Sequence, residues 1–188
     1  MIALSDLGPR ICIIGPSSSG KSTLAQTLGQ AWSARVVHLD QLHHLPNTQW
    51  QPRPQAEFVS LHDEAIGWER WVVEGNYFRT MPQRFERATA IIWLDPPPFS
   101  CLWRWVRRML QSRKTRIGML DGAEDRLSCA MARYILWQYP NGRNRYADIL
   151  ARQGVPVLHL KSMGALRRHL KHWGLQQKKP GRDIGRRG

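Results

Sequence analysis

With 188 residues, 42% of them hydrophobic, the chain has enough apolar material for one well-packed domain and is excluded from the intrinsically disordered class. No apolar run approaches the roughly 20 residues of a membrane span, so membrane insertion is not expected. Twenty-eight Lys and Arg against 14 Asp and Glu give a net charge of +14, a field that draws anionic partners.

In chain order, Ile11 to Ile14 is a short apolar run meeting a Gly-rich turn, as a strand buried on both faces would. Leu24, Ala25, Leu28 and Trp32 then recur at helical spacing. Val36 to Leu39 reads as a second strand, ending at Asp40. A helix that Pro54 can start carries Phe58, Leu61, Ala65 and Ile66. Trp71 to Val73 is a third strand ending at Glu74, and Ala90 to Leu94 a fourth, ending at Asp95 before three prolines. A long helix with one apolar stripe is expected from Leu127 through Tyr134 and Ile135 to Gln138, and another around Tyr146, Ile149 and Leu150. Val155 to Leu160 is the fifth strand, and Leu166 to Trp173 the last helix. Strands alternating with helices predict an α/β fold with a parallel sheet covered on both faces. Residues 1–174 are expected to form one domain with an insertion at about 99–145. The tail 175–188, with Lys178, Lys179, Arg182, Arg186 and Arg187 against Asp183, reads as disordered.

The N-terminus has no basic region ahead of its apolar residues and carries Asp6, so it does not read as a signal peptide; the cytoplasm is the expected compartment. Cys12, Cys101 and Cys129 are odd in number and never paired as CxxC, which supports neither a disulfide framework nor a zinc knuckle; all three are expected to be small core residues.

The most specific signal is Gly15-Pro16-Ser17-Ser18-Ser19-Gly20-Lys21-Ser22, a full G-x-x-x-x-G-K-[ST] element followed by Thr23. Glycines let backbone amides turn inward around phosphate oxygens, and the following helix adds the partial positive charge of its N-terminus. Lys21 is expected to reach the β- and γ-phosphates of ATP, and Ser22 to offer its hydroxyl to Mg²⁺. The strand before and the amphipathic helix after are the context the motif requires. No N-K-x-D guanine-reading motif, LSGGQ-like signature or paired Asp-Glu strand end is present, which leaves a compact kinase among P-loop proteins.

Ligands of an open parallel sheet bind beyond the carboxyl ends of its strands. Asp40, at such an end, is a candidate to accept the proton of an attacking hydroxyl or to position the acceptor, against the alternative of a helix cap. Glu74 is a candidate for the Mg²⁺ shell, with Gly75 allowing backbone close to a ligand. Asp95 is read as ending its strand and no more. His38, His43 and His44 lack partners at zinc-ligand spacing and read as packing or substrate-facing polar groups.

Half of the charge excess lies between Phe99 and Arg152, where eleven basic residues face four acidic ones. Arg104, Arg107 and Arg108 share helical spacing, and Arg113, Lys114 and Arg116 follow. The expected use is a lid whose arginines (Arg104, Arg108, Arg113 or Arg116) close on the transferring phosphate and exclude water. A nucleic-acid face, with Trp103 and Trp105 as stacking platforms, and a plain solvated helix are the alternatives. Arg143 and Arg145 are a second arginine source.

The Gly15–Ser22 loop, Leu39-Asp40-Gln41-Leu42 with Trp50 behind it, Trp71-Val72-Val73-Glu74-Gly75-Asn76-Tyr77, Ile91-Ile92-Trp93-Leu94-Asp95-Pro96-Pro97 with the Arg/Trp helix, and Tyr139-Pro140 with its arginines together resemble adenylate kinase-like P-loop kinases of the DNA topology modulation protein family. The resemblance runs from Ile11 to about Trp173. It implies a three-layer P-loop fold, a five-stranded parallel sheet of nucleotide-kinase type with a helical Arg-rich lid, and a nucleoside or nucleoside monophosphate as acceptor. The sequence departs from the family pattern in carrying Glu74 where Asp is commoner, and in His43-His44-Leu45-Pro46-Asn47 replacing an aromatic-rich stretch. Two readings from other classes stay open at this level: an ATP-binding, nucleic-acid-associated regulator using the basic lid and tail, and a polynucleotide 5′-end kinase.

Overall fold

Five short runs, most of them apolar at nearly every position, become the strands of one all-parallel sheet in the computed structural model, which describes residues 1–109 and 128–176. They are β1 (Arg10–Ile14), β2 (Arg35–His38), β3 (Trp71–Glu74), β4 (Ala90–Leu94) and β5 (Val157–Leu160), in the order β2-β3-β1-β4-β5. The central strand β1 pairs with β3 on one side and β4 on the other, so the loop after β1 leaves the sheet where the strand order changes direction, the usual ligand crevice of such sheets.

Side chains alternate across each strand and feed two cores. Cys12, Ile14, Trp71, Val73, Ile91 and Trp93 point to one face. They pack there with Ala65 and Ile66 of α3 (Gln55–Ile66), Met81 and Phe85 of α4 (Met81–Arg87), and Tyr146 and Leu150 of α8 (Arg143–Ala151). Ile11, Ile13, Val72, Ala90, Ile92 and Leu94 point to the other face. Their partners are Leu24, Ala25 and Leu28 of α1 (Lys21–Trp32) and Leu166 and Leu170 of α9 (Met163–His172). The result is the expected three-layer α/β arrangement. A third, separate cluster of Cys101, Trp105 and Ile135 joins α5 (Pro98–Met109) to the turn after α6 (Cys129–Arg133), with Met131 and Ala132 of α6 packed against it.

Several boundaries differ from the sequence expectation. β5 begins at Val157 because Pro156 has no N–H for the ladder, although its carbonyl still accepts from Ile91 N (2.9 Å). β2 stops at His38: the chain turns at once into the short helix α2 (Leu39–His43), so Asp40 lies in the first turn of a helix rather than at the end of a strand. The single long helix expected before Pro140 is interrupted. After α6, residues Tyr134–Gln138 form a π turn, with Tyr139 N donating to Tyr134 O, before the short α7 (Tyr139–Asn141). Pro140 has no N–H to give, and a wider turn just before it absorbs the missing bond. Cys12 and Cys101 are core residues as expected, but Cys129 is exposed at the start of α6.

Candidate functional site

The loop between β1 and α1 is held by three local devices. Gly15 has φ +148°, and a Cβ there would sit 2.2 Å from the Leu94 carbonyl oxygen, so β4 itself excludes any side chain. Gly20 caps α1 in the left-handed region (φ +97°) with only Met163 Cε nearby, so its requirement is conformational. Asn76 accepts from Gly15 N through Oδ1 (3.0 Å) and donates through Nδ2 to Tyr134 OH (3.1 Å), tethering the loop to the end of β3 and to the π turn. The first α1 amide to find a helical acceptor is Leu24 N, bonded to Gly20 O. The amides of Lys21, Ser22 and Thr23 therefore have no acceptor within the helix. The hydroxyls of Ser18 and Ser19 are buried with no partner among the described residues. Unspent donors around a concave backbone are what an anion needs.

Lys21 Nζ donates to the carbonyls of Gly15 (3.0 Å) and Pro16 (2.9 Å), folding its charge over the cradle. Ser22 Oγ donates to Glu74 Oε1 (3.0 Å), and His38 Nδ1 lies 2.8 Å from the same oxygen. Glu74 is buried at the end of β3, directly opposite His38 in the β2–β3 register. Burial alone would raise its carboxyl, but the His38 hydrogen bond, the Lys21 charge and the Ser22 hydrogen bond outweigh it and hold it below the usual carboxylate range. A serine hydroxyl beside an ionised carboxylate, next to a phosphate cradle, is an all-oxygen donor set that fits a hard cation such as Mg²⁺. Among the described residues no cluster of three or more His, Cys, Asp and Glu could hold a metal by itself.

Asp40 is exposed, and its Oδ1 accepts from Tyr77 OH at 2.6 Å. Burial and the neighbouring Asp40 and Glu74 charges push the Tyr77 phenol well above its ordinary range, so it stays a donor. His43 packs between Tyr77 and Phe58, and Trp50 meets His44 edge-on, giving this rim aromatic walls.

On α5 the expected arginine strip divides. Arg104 Nε donates to Ser18 O of the loop (2.7 Å). Arg108 is half-buried, with Nε unpartnered among the described residues; burial lowers its guanidinium pKa and the Asp40 charge opposes that. Arg107 is exposed, one residue and so about 100° of helix azimuth from Arg108. Trp105 is buried and Trp103 is 68% exposed, so the two tryptophans do not form one stacking platform. Arg113 and Arg116 lie outside the described residues. Arg143 donates through Nε to Asp95 Oδ1 (2.8 Å), and Arg145 sits over the Phe78 ring.

One expectation is corrected and one gains a second cause. Gly75, with φ +133°, is required to be glycine by packing alone, since a Cβ would meet Leu39 Cβ at 2.9 Å. Asp95 does more than end β4: it is buried, and both its oxygens are engaged, by Arg143 and by His159 Nε2 (3.2 Å), whose ring stacks on Trp93.

Sequence reasoning gave no role to Asn76, Tyr77, Tyr134 or Arg84. Asn76 and Tyr77 stand two and three residues after Glu74, the one signal that could have flagged them. Arg84 is fully buried in α4, donating to the carbonyls of Gly75 (3.1 Å), Asn76 (2.7 Å) and Tyr77 (3.2 Å) and to Thr80 Oγ1 (3.0 Å). A cavity of about 610 Å³ lies among Arg10, Asp63, Ile66, Gln83, Glu86 and Arg87, and another of about 240 Å³ between β2 and α3. Neither is lined by loop residues.

No protein-family model matches the chain, and no curated protein matches it. Solved structures do. A gluconokinase from Sinorhizobium meliloti 1021 superposes with a TM-score of 0.53 at 14% identity, covering 89% of this chain and 93% of that one. Shikimate kinase from Acinetobacter baumannii in complex with shikimate gives 0.52 at 14%, covering 88% and 91%. At such identity the likeness establishes the fold: the three-layer P-loop arrangement those kinases share.

Proposed function

We propose that the chain is an ATP-dependent phosphotransferase acting on the hydroxyl or phosphate of a small acceptor. The observation that carries this reading is the meeting of Ser22 Oγ and Glu74 Oε1 at 3.0 Å beneath a complete phosphate-binding loop, with Asp40 on the same rim of the sheet. Gly15, Pro16, Ser17, Ser18, Ser19, Gly20, Lys21, Ser22 and Thr23 hold the triphosphate, Lys21 exchanging its two loop carbonyls for phosphate oxygens. Ser22 and Glu74 hold Mg²⁺, which when bound neutralises developing phosphate charge. Asp40 orients the acceptor and takes its proton. Tyr77 aims the Asp40 carboxylate, and Arg104 and Arg108 face the transferring group from α5. Arg113 and Arg116 join them if the 99–145 segment closes as a lid.

A nucleoside or nucleoside monophosphate is the acceptor class supported by the motif resemblance, and the aromatic rim of Tyr77, His43 and Trp50 suits a planar base. The fold neighbours, named for gluconate and shikimate, add hydroxylated carboxylates to what is worth testing. A panel of nucleosides, nucleoside monophosphates, gluconate and shikimate with γ-labelled ATP is expected to show transfer to a nucleoside or its monophosphate; transfer to none of the panel sinks the reading. With the acceptor found, Asp40→Asn keeps the Tyr77 hydrogen bond but not the base. Its single-turnover rate is expected to fall about 10²–10⁴-fold with ATP affinity unchanged, and a rate within about threefold of wild type removes Asp40 from the chemistry.

A second reading, an ATP-binding protein associated with nucleic acid, is favoured by one specific observation. Lys161, Arg167, Arg168 and Lys171 are all exposed on or beside α9, and no acidic residue occurs between Asp148 and Asp183. If this face binds a duplex, log Kd plotted against log salt rises with a slope of about 3–4, one condensed counterion per phosphate contacted. Fluorescence anisotropy of a labelled oligonucleotide measures it, and a slope below about 1 removes the face from consideration.

A further inference from the structure

Glutamate has one more rotatable bond than aspartate, so a metal-binding carboxylate at position 74 needs an additional restraint to stay in one place. β2 supplies it. His38 is the direct cross-strand partner of Glu74, both side chains are buried (7% and 5% exposed), and Nδ1 lies 2.8 Å from Oε1. Because an ionised carboxylate can only accept, Nδ1 carries the proton and donates. The same oxygen accepts from Ser22 Oγ, so Oε1 is fixed from two directions. Oε2 has no protein partner among the described residues and is the oxygen left to face a cation or its water.

We propose that His38 is a positioning residue for the divalent cation: by clamping Oε1 of Glu74 it orients the carboxylate beside Ser22 and thereby sets how strongly nucleotide and Mg²⁺ bind together. The proposal rests on the phosphotransfer reading only in placing a divalent cation beside Ser22. It assigns the residue after Val37 a function that its strand pattern alone does not suggest, and it accounts for a glutamate serving at this strand end.

Calorimetric titration of ADP into the full chain, once in EDTA and once in excess Mg²⁺, gives the test as a ratio of two dissociation constants. His38→Phe fills a similar volume without the donor. Loss of an outer-sphere hydrogen bond to a metal ligand costs about 10–100-fold in metal affinity, so the ratio is expected to fall by about 10-fold or more while the EDTA affinity stays at the wild-type value and the variant still melts as a folded protein. His38→Asn places Nδ2 where Nδ1 stood, on the atom attached to Cγ, and is expected to restore most of the ratio. An unchanged ratio in His38→Phe overturns the assignment. So does an EDTA affinity that falls as far as the Mg²⁺ affinity, which would make His38 a structural residue of the strand. A wild-type ratio of one overturns this proposal together with the cation site, whereas loss of ADP binding in EDTA by the wild type itself would instead strike the phosphate cradle.

Discussion

Lys21→Ala is expected to lose phosphoryl transfer by on the order of 10³-fold or more while remaining folded. Lys21 is the only ammonium of the loop, and its reach to the carbonyls of Gly15 and Pro16 shows that the side chain already spans the cradle. The folded state loses little. Two partly buried hydrogen bonds are worth about 1 kcal/mol each, which for a chain of this size lowers the melting temperature by roughly 4–8 °C. The transition state loses a point charge placed where negative charge accumulates, and nothing else in the loop replaces it. Lys21→Arg does not rescue, because a planar fork presents its charge further out and in a different geometry. Single-turnover transfer from labelled ATP, with a thermal melt as control, separates the two effects. Transfer within about tenfold of wild type in a folded Lys21→Ala protein would mean that the loop holds phosphate without catalysing its transfer.

The largest stability effect is expected at Arg84. Its guanidinium is fully buried and its partners are neutral: three carbonyls and a hydroxyl. Burial lowers its pKa to about 10, so it is still a cation at neutral pH. Arg84→Leu removes a desolvated charge, which is favourable, but it strands the Gly75 and Asn76 carbonyls; Tyr77 O keeps the Thr80 amide. Two lost charge-assisted bonds at about 1.5–3 kcal/mol each make the second effect dominate. The net cost is about 3–5 kcal/mol, or roughly 10–15 °C in melting temperature. Because Asn76 also holds Gly15 N, nucleotide affinity should fall in the same variant. Urea unfolding measures the first and ADP titration the second, and a variant within about 1 kcal/mol of wild type would show the 75–77 turn to be self-supporting.

The two residues differ sharply in how visible they are beforehand. Lys21 sits in a motif whose spacing is its own evidence. β1 and β4 were equally plain, because strands buried on both faces have no polar position to break the run. Arg84 has no such mark: an arginine among Gln83, Glu86 and Arg87 reads as helix surface, and only the carbonyls of a turn eight residues earlier make its burial tolerable. Asp95 was undervalued for a related reason, since Arg143 and His159 lie 48 and 64 residues away in the chain and no local pattern links them. Asp40 was assigned to the right edge of the sheet but the wrong element, because Val36 to Leu39 is apolar in a way that fits a strand or the entry to a buried helical turn equally well. Helix geometry separates Arg104, Arg107 and Arg108 in azimuth, but that Arg104 reaches the loop depends on Trp105 and Cys101 packing against Ile135.

The π turn at Tyr134–Gln138 amounts to one residue more than a regular helix would hold. Each residue of an α-helix advances the azimuth by about 100°. Excising a single position there would rewind everything on its amino-terminal side by that angle, swinging Met131 and its neighbours off α5 while the phenol of Tyr134 came away from Asn76. The direction in which α6 leaves the body of the protein is therefore written in a chain-length difference of one, and a homologue lacking that residue should carry α6 toward a different quarter.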